Sequence, residues 1–231
     1  MSEYFEEFDR IIQANKYSRH SFVKEIEAGR VTREQMKRWA IQKYHQVYLQ
    51  NSCYSGIHAN SWHEDVRAFE MEQLIAEETA IADGSDSHYN LMKRFALALG
   101  ATEAEIRETP VAPEVWDFVT YLVGHCRNNH FVYGILAIYV NESQTSESAM
   151  KMYRALKSGF QLDDRALEWF TVHGEADIEH SSHAKDLIVK YAHEAPNFEW
   201  RGRQVVETGS KMWTKLHDFY FAKLAAVFGS I

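Results

Sequence analysis

Apolar residues recur at three- and four-residue spacing along most of this chain, in long segments separated by short polar turns. That period belongs to amphipathic helices; the two-residue alternation of half-buried strands is nearly absent. The pattern predicts a first helix over residues 3–28, closing at Gly29. Thr32 with Gln35 has the spacing of a capping box and opens a segment running to about residue 60. Another segment runs from His63 to about Ala82. The polar stretch ADGSDS (82–87) reads as a loop with Asp86 or Ser87 as the next N-cap, and a helix then continues to Gly100. Thr102 and Glu105 repeat the capping-box spacing, and residues 113–144, about 147–158, 163–193 and 202–228 complete the set. Pro110, Pro113 and Pro196 fall between periodic segments, and no Asn-Gly or Asp-Gly turn joins alternating apolar runs. With no linker-like cluster and no internal repeat, the expectation is an all-α chain of seven or more helices forming one domain over residues 1–231.

Composition narrows the function. A hydrophobic share of 45% in 231 residues supports a sizeable core, and the charged share of 25% is that of an ordinary soluble protein. A net charge of −8 without a dense Lys/Arg run excludes a nucleic-acid footprint. The opening MSEYFEEFDR is acidic and lacks the apolar stretch of a secretory leader. No run approaches the ~18 apolar residues of a membrane span. Two cysteines, Cys53 and Cys126, do not make a disulfide framework. Together these predict a cytoplasmic protein with neither a membrane nor a nucleic-acid partner.

Candidate chemistry concentrates in HGEADIEH (173–180). Steps of four and seven return to the same helix face, so His173, Asp177 and His180 would point one way. Glu142, in VNESQ, follows a nearly uncharged run from Phe131. It falls near the core, where a lone ionised carboxylate needs a cation or a hydrogen-bonded partner. The segment QLIAEETAIADGSDSHYNLM (73–92) adds Glu77, Glu78 and His88, with Glu77 and His88 approaching from adjacent segments if ADGSDS is a loop. Glutamates and histidines from several helices make the recurring composition of dinuclear iron or manganese sites in helical proteins. Spacing alone also fits a solvated helix face with an internal ion pair.

Taken in order, HSFVKEIEAGRVTREQMKRWA (20–40), AEE…DSHYNLMKRFALALG, AIYVNESQ and WFTVHGEADIEHSSHAKDLI resemble the CADD/TenA/PqqC-like group, nearest its CADD-like non-haem diiron branch. The resemblance implies a haem-oxygenase-like helical bundle without haem. It also implies a metal-ligand series of Glu77, His88, Glu142, His173, Asp177 and His180, with Glu77 rather than Glu78 at the matching position. The implied cofactor is two ferrous ions with O2 as co-substrate, one position taking manganese or standing empty. On this basis His173, Asp177 and His180 hold one iron, Glu142 and Glu77 carry the bridge or the second, and His88 completes it. The implied activity is oxidation of a small amino-acid- or carboxylic-acid-type metabolite by desaturation, oxidative C–C cleavage or N-oxygenation, in a homodimer.

Three alternatives accompany it: para-aminobenzoate synthesis, a TenA-like thiamin-salvage hydrolase using Cys126, and a non-enzymatic regulatory or interaction protein. One similar branch makes para-aminobenzoate from its own tyrosine. Val23 stands at that position here, leaving Tyr44 or Tyr48 as other donors. Phe131, Val132, Leu136 and Tyr139 are expected to form the apolar wall of the site. His183, Lys211 and Lys215 have lesser roles in reach, with solvated surface as the plainer reading.

Overall fold

The computed structural model describes residues 3–80 and 84–225, the side chains of 3, 175–180 and 224–225 excepted. Its helices are α1 (Glu3–Ala14), α2 (Ser21–Glu27), α3 (Arg33–Gln50), α4 (Ser52–Asn60), α5 (Glu64–Glu78), α6 (His88–Ala98), α7 (Glu103–Glu108), α8 (Pro113–Asn128), α9 (Phe131–Phe160), α10 (Glu168–Tyr191) and α11 (Phe198–Ala225). Short 3₁₀ turns lie at Tyr17–Arg19 and Ala192–Glu194, and no strand occurs among the described residues. The all-α expectation holds. Among those residues no helix is long and apolar enough to cross a membrane.

Both capping boxes form: Thr32 with Gln35 opens α3, and Thr102 with Glu105 opens α7. Ser87 stands at the N-cap of α6 without a side-chain cap bond, while Asp86 Oδ1 accepts from the Ser87 amide at 2.8 Å. Three expected boundaries move, the first being the segment from Thr32 to about residue 60, which divides at Asn51 into α3 and α4. The helix expected over 3–28 is divided, because Tyr17 turns into the core. Its amide donates to Gln144 Oε1 at 3.0 Å and its ring lies 3.7 Å from that of His217. His20 then caps α2 by accepting from the Phe22 amide. The break expected after residue 144 falls instead at the extended Asn129–His130 pair. The polar run through Ser148 stays helical because its side chains bond to their own helix. Gln144 Nε2 donates to the Val140 carbonyl at 2.6 Å, and Ser148 Oγ to that of Thr145 at 2.8 Å.

The unbroken α9 is the central element. Its N-terminal stretch Phe131–Val140 is buried on every face, which is why that stretch carries almost no charge. It packs most extensively on α10, and α2, α8 and α11 lie against it as well. One apolar cluster runs from Phe5 in α1 to Tyr220 in α11. Polar side chains on the inner faces of α3, α5, α9 and α10 interrupt it at one place.

Candidate metal centre

Glu77 lies in the last turn of α5 and His88 is the first residue of α6, so eleven residues of chain bring two ligand types together from different helices. His173, one turn into α10, meets them. One ligand atom each of Glu77, His88 and His173 fall within 4.8 Å of one another, and all three residues are buried. Glu78 is exposed, so Glu77 is the member of the pair that faces inward. Asp177 and His180 have side chains outside the described residues. The expected grouping of His173 with them is therefore not on display; the structure groups His173 with Glu77 and His88.

The hydrogen bonding of this trio suits a cation. His173 Nδ1 lies 2.8 Å from the Trp169 carbonyl, which can only accept, so Nδ1 carries the proton and Nε2 keeps a lone pair. Its ring also stacks on Trp169, with centroids 4.1 Å apart. Burial, reinforced by neighbouring His88, pushes the His173 pKa down to about 3, so the ring is neutral. His88 Nδ1 approaches Glu77 Oε1 to 3.0 Å but is misaligned for a hydrogen bond, and His88 Nε2 is buried with no hydrogen-bond partner. Burial would lower the His88 pKa; the Glu77 carboxylate outweighs it and raises it.

Glu142 is half-buried as a residue, yet its carboxylate faces the enclosed interior and accepts a hydrogen bond from Tyr54 Oη at 2.8 Å. Burial raises its pKa to about 7 against the lowering effect of Tyr54, and the Glu77 charge adds to the rise. All four residues line a cavity of about 30 Å³, together with Lys43, Gln46 and Gln50 from α3, Gln73 from α5, and Trp169 and Trp213. Lys43 is buried, donates to Gln46 Oε1 at 3.3 Å, and holds its Nζ 5.3 Å and 5.4 Å from the ring centroids of Trp169 and Trp213. It places a fixed positive charge at the cavity edge.

Several expectations are redirected. The apolar wall that α9 supplies is Ile138; Phe131, Val132, Leu136 and Tyr139 pack elsewhere in the core. Tyr44 and Tyr48 stack on each other away from the cavity, and Tyr48 is 54% exposed. Val23 is fully buried. His183 is exposed with its ring against Phe69, and Lys215 pairs with Asp117 on the surface. Burial pushes the Cys126 thiol well up, and Cys53 adds to the rise, so it offers no thiolate to a hydrolase. Tyr54, Lys43 and Trp169 were not anticipated. Tyr54 stands three positions before Ile57 on the buried side of α4, so periodicity reads it as packing.

The comparisons with known proteins agree with this chemistry. Residues 37–214 match a family described as iron-containing redox enzymes. The chain is 27% identical over 220 residues to a 4-aminobenzoate synthase of Chlamydia pneumoniae, covering 95% of this chain and 96% of that protein. It is 31% identical over 197 residues to a 4-aminobenzoate synthase of Nitrosomonas europaea, covering 81% and 78%. Among solved structures, a TenA homologue from Pseudomonas syringae superposes with a TM-score of 0.79 at 14% identity, covering 93% of this chain and 91% of that one. A CADD-like protein of unknown function from Nostoc punctiforme does so at 0.68 and 14%, covering 96% and 97%. At such identities the structures speak for the fold alone, which is haem-oxygenase-like. With the matched span covering most of the chain and a buried Glu–His–His group at its centre, the protein belongs to the haem-oxygenase-like family of iron-containing redox enzymes.

Proposed function

We propose that the protein is an oxygen-dependent oxidase or oxygenase with a dinuclear iron centre held by Glu77, His88, Glu142, His173, Asp177 and His180. The observation that carries this reading is the convergence of Glu77, His88 and His173 from three helices, with a lone pair of each histidine left for a cation. Glu142 stands beside them on a fourth helix. On the register of α10, positions 177 and 180 continue the face that begins at His173. Two ferrous ions bound there would supply the electrons that reduce O2. The protein's own part is to hold the ligands, fix the imidazole tautomers and keep bulk water away.

Two substrate readings follow. Lys43 supplies a positive charge suited to a small carboxylic acid. A cavity of about 30 Å³, however, has room for water or dioxygen rather than an amino acid. The small volume favours a reading in which the oxidised group is the protein's own. The relatives' name, 4-aminobenzoate synthase, makes 4-aminobenzoate a product to test for, and Tyr54 is the phenol that reaches the centre.

The test is anaerobic loading with ferrous iron, then exposure to oxygen, with oxygen uptake and 4-aminobenzoate both measured. His173→Ala and Glu142→Ala should abolish uptake while circular dichroism stays helical. Full uptake in either variant would remove the assignment. If 4-aminobenzoate forms, the own-residue reading takes its ring from Tyr54 and its amino nitrogen from an amine donor, with oxygen as oxidant, and predicts loss of product in Tyr54→Phe and a mass deficit in the spent protein.

A further inference from the structure

Two turns before Glu77 on the same face of α5 lies Glu70, a carboxylate that no motif singled out. It is 1% exposed, and its Oε2 has no hydrogen-bond partner. It lines a second cavity of about 10 Å³ whose wall is otherwise apolar (Phe69, Ile57, Ile135 and Ala184 among it) except for Tyr54, Gln73 and Glu142. A leucine there would meet mostly apolar walls. An ionised carboxylate costs several kcal/mol there unless a cation or hydrogen bonds compensate it.

The placement of this second cavity gives the buried acid a purpose. Tyr54, Gln73, Ile138 and Glu142 line both cavities, so the two adjoin and Glu142 borders each. The volume is close to what one water molecule or one small ion needs. On α5, Glu70, Gln73 and Glu77 follow one another at steps of three and four, so the helix presents an acid to each cavity from one face. On α10, His173 lines the first cavity and Ala184 the second.

We propose that Glu70 is a further metal-holding carboxylate, serving the cation position on the Glu142 side of the centre. This rests on the dinuclear reading above. With Glu70 the centre has a carboxylate at each end of α5's inner face and Glu142 in the middle, so each of two cations meets at least two acids. The Glu77–His88–His173 position does not depend on Glu70.

The experiment compares wild type, Glu70→Gln, Glu70→Leu and His173→Ala by anaerobic titration with ferrous iron and by thermal melting of the metal-free proteins. Wild type should saturate near two equivalents. Glu70→Gln should bind one equivalent as wild type does and the other at least about tenfold more weakly, the scale of loss for groups that support a metal site. His173→Ala should lose the complementary equivalent. Metal-free Glu70→Leu should melt above metal-free wild type, which shows that the variant folds and that the acid is kept at a cost to stability. Two equivalents with unchanged affinity in both Glu70 variants would overturn the assignment and leave the dinuclear centre standing. A wild type that takes up one equivalent or none would overturn the dinuclear reading itself, and Glu70's role with it.

Discussion

Tyr54 shows how much of this centre depends on single groups behind the metal-binding atoms. Its hydroxyl is the one hydrogen-bond donor the described structure gives the Glu142 carboxylate, at 2.8 Å. Tyr54→Phe keeps the ring and removes that donor, leaving a buried acid short of a partner. Above pH 7, where Glu142 is ionised, the metal-free protein should lose roughly 1.5–3 kcal/mol, the range for a hydrogen bond to a charged group. Urea unfolding measures it, and an unchanged midpoint would mean that water replaces the bond. His217 offers a second handle. Burial pushes its pKa well below the ordinary value, and its Nδ1 donates to the Trp213 carbonyl at 2.7 Å. Its folded-state pKa is depressed, so between that value and about 6.5 the unfolded chain binds the extra proton and stability falls as pH falls. The contribution is at most about 1.4 kcal/mol per pH unit. His217→Gln should flatten the stability profile between pH 7 and 5, and an unchanged slope would refute the attribution. His173 was legible in the sequence because HGEADIEH repeats a helix face, whereas Tyr54 and Glu70 were not. Each lies in a helix at ordinary spacing with no motif to mark it, and only the facing helix reveals what it meets.

Helix boundaries were legible where the signal is local and hidden where it is remote. Thr32 and Thr102 cap with residues three positions on, so the capping boxes could be read directly. The break at residues 15–20 depends on Gln144, more than a hundred residues away, accepting from the Tyr17 amide. The continuity of α9 likewise depends on hydroxyl and amide groups returning to their own helix, which the polar run alone does not reveal. Close helix approach is another property carried by single positions. A Cβ at Gly134 in α9 would stand 2.8 Å from Ile57 Cγ1 and 3.1 Å from Cys126 Cα, in the space between α4 and α8. Gly134→Ala should therefore destabilise by about 1–3 kcal/mol, the cost of overpacking a filled core. Gly124 in α8 has nothing within 4 Å of such a Cβ. Gly124→Ala should stabilise by about 0.5–1 kcal/mol through the unfolded chain. Chemical denaturation of the pair checks the contrast, and equal effects would mean the helices separate more easily than their packing implies.

At the scale of the molecule, the proposed ligands tie together elements far apart in the chain. Glu77 ends α5, His88 begins α6, Glu142 lies midway along α9 and His173 near the start of α10. The same helices share one apolar cluster from Phe5 to Tyr220. The helical class was legible because its period runs the length of the chain. The meeting of these four helices was not, since amphipathic patterns say which face is buried but not against what. A cation bound by native helices alone stabilises them by mass action, about 2.7 kcal/mol at a free concentration one hundred times its dissociation constant. For a chain of this size each kcal/mol is worth roughly 2–4 °C, so ferrous loading should raise the melting temperature by roughly 5–11 °C. Because the ligands and the cluster involve the same helices, calorimetry should show a single transition both without and with the metal, shifted as a whole. An anaerobic chelator should return it to its starting position. A melt that splits into two transitions, only one of them moved by iron, would show that the ligand-bearing helices unfold apart from the rest.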